Sequence, residues 1–163
     1  MHARNLSLCL LLVLGAVPSC GDSDSGEETA LVIRCLDGDT AELEDGTKVR
    51  FLGVDTPEVS KNDCYALEAK YFTESLILNE EVILEPDANT DDTDQFGRLL
   101  RYVWIEVGDQ RRLVNKELLL KGYARSFMDS KLTMKDELRA AEAQAQATGA
   151  GLWCACEDLP SCE

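Results

Sequence analysis

Apolar residues follow two patterns along this chain, and each pattern predicts one kind of element. Short runs with alternating or β-branched apolar residues predict strands. Asp37-Gly38 and Asp45-Gly46 mark tight turns between the first three strands, and Pro57 ends the third. The predicted strands cover residues 30–36, 40–44, 47–54, 81–85 and 98–106.

Apolar residues at helical spacing predict three helices, over residues 65–78, 113–121 and 132–147. Gly122 ends the second of these at the usual glycine position. The order is therefore three strands, a helix, two strands and two helices. Short strands with so few residues between them favour a small closed barrel over a sandwich, with the helices capping it.

The first 19 residues are set apart from this domain. Arg4 precedes an apolar run that is too short to cross a bilayer, which is typical of a secretory signal peptide. The segment ends in V-P-S-C, which resembles a bacterial lipobox with Cys20 as the lipidated residue; ordinary cleavage near Ser19 is the alternative. We expect an exported protein, anchored by lipid and facing the periplasm or cell exterior, or else secreted. The mass of the mature N-terminus tests this.

Four segments are predicted: a signal at 1–19, an acidic Ser/Gly tether at 20–29, a globular domain at 30–153 and a Cys-rich tail at 154–163. The formal charge of the 163-residue chain is −15, and loss of Arg4 with the signal makes it −15 − 1 = −16. Such a charge argues against tight nonspecific binding to duplex nucleic acid, which depends on Lys and Arg. It still permits an enzyme that holds one or two phosphates locally.

The only histidine, His2, lies in the signal. The mature chain therefore excludes Ser-His-Asp and Cys-His triads and His-ligated zinc. Catalysis would have to come from carboxylates, arginines and a hard cation.

Two aspartates lie near the ends of predicted strands, Asp39 after the first turn and Asp55 at the end of the third strand. If these strands pair in order, both carboxylates lie at one end of the sheet and repel each other unless a positive charge lies between them. A hard cation with oxygen ligands, Ca²⁺ or Mg²⁺, would supply that charge. The alternative is that both aspartates only form turns.

Three further residues complete the candidate chemistry. Arg50 and Arg98 on strands are suited to bind a phosphate through two donors each, and Glu58 is a candidate general base for a water molecule. Each has a plainer interpretation as a solvent-facing strand arginine or a loop acid.

In combination, these signals resemble a family. The stretches VIRCLDGDTAEL, RFLGVDTPE, DQFGRLLRYVW and VNKELLLKGYAR resemble, in order and spacing, the staphylococcal-nuclease-like (thermonuclease) family over about residues 30–153. The resemblance implies an OB-fold, a five-stranded barrel capped by three helices. It also implies endonucleolytic cleavage of DNA or RNA that leaves 3′-phosphate ends.

The resemblance assigns a role to each candidate residue. Asp39, Asp55 and the backbone carbonyl of Thr56 would hold Ca²⁺. Glu58 would orient or deprotonate the attacking water, and Arg50 and Arg98 would bind the scissile phosphate.

The chain also departs from the family's founder. It lacks the tyrosine pair that stacks on the nucleotide in the founder. Tyr123 or Phe127 could stack in their place, but both are expected to lie in the hydrophobic core instead. Five cysteines follow Cys20 and allow fifteen pairings that leave one thiol over. Cys35 is expected in the core, and a metal site among the C-terminal cysteines is disfavoured. The preferred pairs are Cys64–Cys156 and Cys154–Cys162. The first is similar to a pattern in secreted members of the family, which carry one cysteine just before the first long helix and another after G-L-W.

Three readings follow. The favoured one is an exported, monomeric, Ca²⁺-dependent nuclease acting on nucleic acid. The second is a non-catalytic OB-fold binding module on an exported lipoprotein, and the third a structural lipoprotein. The presence of all the candidate residues favours the first.

Overall fold

The computed structural model describes residues 27–127 and 131–156. The predicted signal, Cys20, most of the predicted tether and Cys162 lie outside these residues, so the lipid anchor and the Cys154–Cys162 pair stay predictions. Among the helices in the described part, none is long and apolar enough to cross a membrane.

Eight strands occur in these ranges: β1 (Thr29–Asp37), β2 (Thr40–Leu43), β3 (Lys48–Phe51), β4 (Val54–Asp55), β5 (Glu81–Glu85), β6 (Leu99–Val107), β7 (Gln110–Leu113) and β8 (Arg125–Ser126). β1 pairs antiparallel with β2 and β5, β2 with β3, and β5 with β6. Parallel pairing of β3 with β6 closes the ring. The closed five-stranded barrel confirms the predicted OB-fold.

The helices are α1 (Ala66–Ile77), α2 (Val114–Leu120), α3 (Lys135–Thr148) and the short α4 (Leu152–Ala155), with a 3₁₀ turn at Val59–Lys61. The three predicted helices are present. The third begins at Lys135 rather than at residue 132, because Thr133 and Met134 instead bond to Asp87 and Tyr102.

In β2 and β3 the barrel interior follows the period of two expected for strands with one buried face, whereas β1 shifts register after Val32 and its buried residues are three apart. Val32 and Cys35 of β1, Ala41 and Leu43 of β2, and Val49 and Phe51 of β3 are all buried. Cys35 therefore lies in the core, as predicted, and burial raises the pKa of its thiol to about 12.

Besides the start of α3, four features differ from the sequence prediction. The third strand ends at Phe51 rather than at residue 54, because Gly53 takes a left-handed φ of 72° and turns the chain into β4. β7 extends the sheet as a hairpin partner of β6, and β4 pairs with β8. Residues 27–29, assigned to the tether, join the barrel: Thr29 begins β1, and Glu28 forms an ion pair with Arg101 at 2.9 Å.

The predicted Cys64–Cys156 disulfide is present, with sulfurs 2.09 Å apart. It ties the segment before α1 to the residue after α4.

Candidate active site

Asp39 is buried, with 6% of its surface exposed, in the turn that joins β1 to β2. The turn packs closely under α1: a side chain at Gly38 would come within 2.8 Å of Thr56, and Thr73 donates a hydrogen bond to the Gly38 carbonyl at 2.6 Å. A glycine is therefore required there to hold Asp39 at the end of the barrel.

Thr56 fixes the orientation of the Asp39 carboxylate. Its backbone N–H and hydroxyl donate to Asp39 Oδ2 at 2.7 and 3.0 Å, and the Thr40 hydroxyl donates to Oδ1 at 3.0 Å. Thr56, proposed from sequence as a carbonyl ligand, is thus also the main neighbour of the buried aspartate.

Arg50 on β3 lies between the two aspartates. Its Nη1 is 3.1 Å from Asp39 Oδ2, and its Nη2 donates to Asp55 Oδ1 at 2.9 Å. Nη1 also donates to the Val54 carbonyl at 2.7 Å, which ties the guanidinium to the turn before Asp55. The positive charge required between the carboxylates is therefore supplied by the chain itself.

Asp55 ends β4 and faces solvent, with 59% of its side chain exposed. Its pKa is raised, first by partial burial against the groove wall and then by the neighbouring carboxylates of Asp39 and Glu58, against the lowering effect of Arg50. Partial burial and the two neighbouring carboxylates therefore outweigh Arg50 in their effect on the pKa of Asp55.

Arg98, at the start of β6, reaches the same region from the opposite side. Asp94 Oδ2 accepts a hydrogen bond from the Arg98 Nε at 2.7 Å and lies 2.6 Å from its Nη2. The Arg98 Nη1 is 3.4 Å from the Thr40 hydroxyl. Burial raises the pKa of Asp94, but hydrogen bonds from the Arg98 backbone and side chain and from the Phe96 N–H outweigh it and leave the pKa below its usual value.

Glu58 lies on a separate segment, just before the 3₁₀ turn. Its carboxylate pairs with the Lys61 ammonium at 2.8 Å, and its backbone N–H donates to Asp63 at 3.0 Å. Its side chain is 46% exposed.

Two grooves meet at Asp55. The larger, with a volume of about 770 Å³, is lined by Arg50, Asp55 and Arg98 together with Phe96, Phe127 and Lys131. The smaller, of about 370 Å³, is lined by Asp55, Thr56, Glu58, Lys61, Arg125 and the disulfide cysteines. The structure therefore brings both arginines to one groove and places Glu58 in the adjoining one.

The two aromatic candidates take opposite positions. Tyr123 is packed in a stack, with ring centroids 4.3 Å from Phe72 and 5.4 Å from Tyr65. Phe127 is 69% exposed on the larger groove, so the core position favoured for it from sequence is wrong. The two-residue pairing of β8 with β4 turns the chain out of the core there.

The donor set fits a hard cation. Asp39 and Asp55 offer oxygen atoms only, which Ca²⁺ and Mg²⁺ prefer. Across residues 27–127 and 131–156, no three His, Cys, Asp or Glu side chains are grouped for a metal ion. A bound cation would therefore take its other ligands from carbonyls, water or substrate.

Three supporting residues were missed by sequence reasoning: Thr40, Asp94 and Lys61. Asp94 had a usable signal, because Asp-x-x-Gly is a turn in which the aspartate accepts following backbone N–H groups. Thr40 and Lys61 carry no such signal, since their contacts depend on tertiary placement or on a surface ion pair.

Comparison with known proteins shows the family of this chain. Residues 48–155 match the family model described as staphylococcal nuclease homologue, and the chain belongs to that family. It is 34% identical over 156 residues to a thermonuclease of Staphylococcus hyicus, which covers 91% of this chain and 89% of the relative. It is also 34% identical to a thermonuclease of Staphylococcus intermedius, over 80% of this chain and 79% of the relative. Endonuclease YncB of Bacillus subtilis is 34% identical over 74% of this chain and 59% of its own length.

Proposed function

We propose that this protein is a Ca²⁺-dependent endonuclease that hydrolyses phosphodiester bonds of DNA or RNA and leaves 3′-phosphate ends. The observation that carries the proposal is the meeting of the two grooves at Asp55, with Arg50 and Arg98 on one side and Glu58 on the other. The names of the relatives, thermonuclease and endonuclease, support the same reaction class.

The two arginines are suited to bind a phosphate. Their guanidinium groups converge on one groove from β3 and from the start of β6, and each is oriented by a carboxylate. Guanidinium groups match phosphate oxygens with paired donors. Arg50 and Arg98 thus hold the scissile phosphate and stabilise the charge that builds up on it during attack.

Glu58 handles the proton of the attacking water. Water adds to phosphorus, its proton passes to the Glu58 carboxylate, and the bond from phosphorus to the 5′ oxygen breaks. That oxygen takes up a proton from solvent water and leaves as a hydroxyl, and Glu58 returns its proton to solvent. Asp39, Asp55 and the Thr56 carbonyl would hold Ca²⁺, which when bound supplies positive charge to the phosphate oxygens.

A cleavage assay with both polymers tests this proposal. We expect the purified protein to cut single-stranded DNA or RNA with Ca²⁺ and to stop with EGTA, and end-group analysis to find 3′-phosphates. Glu58→Gln should lower kcat by about 10²–10⁴-fold. Absence of Ca²⁺-dependent cleavage from neutral to alkaline pH would refute the proposal, and an unchanged rate in Glu58→Gln would remove Glu58 from it.

A further inference from the structure

The segment that carries Glu58 has little packing to hold it. Residues 60–64 are exposed, and none of the three residues of the 3₁₀ turn is buried. Segments with few buried contacts open at low free-energy cost. The position of Glu58 must therefore depend on specific bonds.

Those bonds make the segment a small closed loop. The Glu58 N–H donates to Asp63 Oδ2 at 3.0 Å, and the Glu58 carbonyl accepts the N–H groups of Lys61 and Asp63 at 3.2 and 3.3 Å. Glu58 and Asp63 are thus bonded to each other, so a constraint on Asp63 adds to the one bond that ties the next residue to the barrel, from the Val59 N–H to Asp37 Oδ1 at 3.2 Å.

The loop contains one residue, Tyr65, in a conformation that its side chain disfavours, and an asparagine in the same conformation, which asparagine tolerates. Asn62 and Tyr65 have left-handed φ angles of 56° and 70°, on either side of Cys64. For a bulky residue such as Tyr65 this conformation costs free energy, and it persists only where surrounding structure imposes it.

The Cys64–Cys156 disulfide is the constraint next to Asp63. Cys156 directly follows α4, where Leu152 and Trp153 are buried and the Leu152 N–H donates to the Gly122 carbonyl at 2.8 Å. The crosslink therefore joins an exposed loop to a packed element. Both cysteines line the same groove as Glu58.

We propose that the Cys64–Cys156 disulfide is a positioning crosslink for Glu58, so that its reduction slows phosphodiester hydrolysis while substrate binding is kept. This inference rests on the proposed function. An external dithiol gives two electrons and two protons to the S–S bond; the bond breaks to two cysteine thiols, and the dithiol becomes a disulfide. Arg50 and Arg98 are held by their own carboxylate partners on the barrel, so they keep their places.

The test compares four full-length exported proteins in the Ca²⁺-dependent cleavage assay: wild type, C64S/C156S, E58Q and the triple variant. A displacement of about 1 Å in a catalytic group costs about 10²-fold in rate. We therefore expect C64S/C156S to lower kcat about 10²-fold with KM within about twofold. In the E58Q background the same serine substitutions should leave kcat unchanged, because the contribution of Glu58 is already lost.

Reduction of the wild type provides the matched control. Dithiothreitol should lower its kcat to that of C64S/C156S and should not affect C64S/C156S itself, which separates this bridge from any other. Amide hydrogen exchange should show residues 58–64 losing protection while β1, β5 and β6 keep theirs. Hydrogen exchange and kcat of the reduced wild type still test the inference if C64S/C156S fails to fold.

The outcomes separate this inference from the proposed function. If the oxidised wild type cleaves and the reduced form has the same kcat, the crosslink does not position Glu58. An equal fall in kcat in the E58Q background, or a barrel that loses protection together with the loop, would show a general structural role and overturn the inference. An oxidised wild type without Ca²⁺-dependent cleavage would refute the proposed function itself.

Discussion

Arg98 reaches the larger groove because Asp94 holds its guanidinium, with both the Nε and Nη2 sides directed at one carboxylate oxygen. The same aspartate accepts the backbone N–H groups of Phe96 and Arg98, so it shapes the turn and orients the arginine together. Hydrogen bonds to charged groups are worth about 1.5–3 kcal/mol.

Asp94→Asn should therefore weaken substrate turnover through Arg98. The amide retains an acceptor for the turn but loses the charge that fixes the guanidinium. We expect kcat/KM to fall about 10-fold, in line with about 1.4 kcal/mol, measured by steady-state cleavage of a short oligonucleotide.

Asp91→Asn is the matched control for this prediction. Asp91 is an exposed acid on the same loop and lines the same groove, so its removal makes the same change in charge near the substrate. We expect kcat/KM to stay the same or to rise slightly. Equal effects of the two substitutions would show that Asp94 acts through charge alone.

At the scale of elements, Asp87 joins three parts of the fold. Its carboxylate accepts the Tyr102 hydroxyl of β6 and the N–H and hydroxyl of Thr133, just before α3, each at 2.7 Å. It also accepts the Asn89 N–H at 2.8 Å, within the loop that follows β5. Burial raises the pKa of Asp87, but these hydrogen bonds outweigh it, and the pKa lies below its usual value.

This lowered pKa predicts that the free energy of unfolding falls at acidic pH. A carboxyl with a depressed folded-state pKa stabilises the fold above its unfolded pKa of about 3.9, and this contribution is lost as pH falls through the folded value. Asp87→Asn should lower the free energy of unfolding at pH 7 by about 1–3 kcal/mol. It should also flatten the loss of stability below about pH 4.

Urea unfolding at several pH values measures both effects. Asp109→Asn, an exposed acid in the turn between β6 and β7, is the control and should leave the curve unchanged. An acid limb of the same steepness in Asp87→Asn would mean that other carboxylates control acid unfolding.

At the scale of the whole molecule, the net charge of −15 opposes binding to a polyanion such as nucleic acid. The fold gathers Arg50 and Arg98 at one groove, whereas a second groove is lined by four glutamates, Glu27, Glu80, Glu81 and Glu106. We expect the protein to contact about two phosphates, so the slope of log affinity against log salt for single strands should be about −1.4.

Fluorescence anisotropy with the E58Q protein, Ca²⁺ and a labelled single-stranded oligonucleotide from about 50 to 200 mM salt measures this slope. Arg98→Gln should make it shallower by about 0.7. A slope steeper than about −4 would reveal a basic binding surface apart from the groove and contradict the prediction.

Much of this protein follows from local sequence. The turn at Asp37-Gly38 places Asp39, the apolar run of residues 30–36 predicts β1, and helical spacing predicts α1, α2 and most of α3. These features depend on residues close together in the chain, where turn chemistry and hydrophobic periodicity act directly. The candidate site residues were named from turn chemistry, strand positions and the family resemblance, whereas the Cys64–Cys156 pair, 92 residues apart, was preferred among fifteen pairings and is similar to a pattern in secreted members of the family.

Only the tertiary structure decided how these parts meet. Parallel pairing of β3 with β6 closes the barrel and brings Arg50 and Arg98 to one groove. β8 turns Phe127 outward, and the disulfide loop places Glu58 in a separate groove beside Asp55. Each depends on contacts between residues far apart in the chain, where the free energy of closing long loops is offset by the whole core rather than by any local pattern.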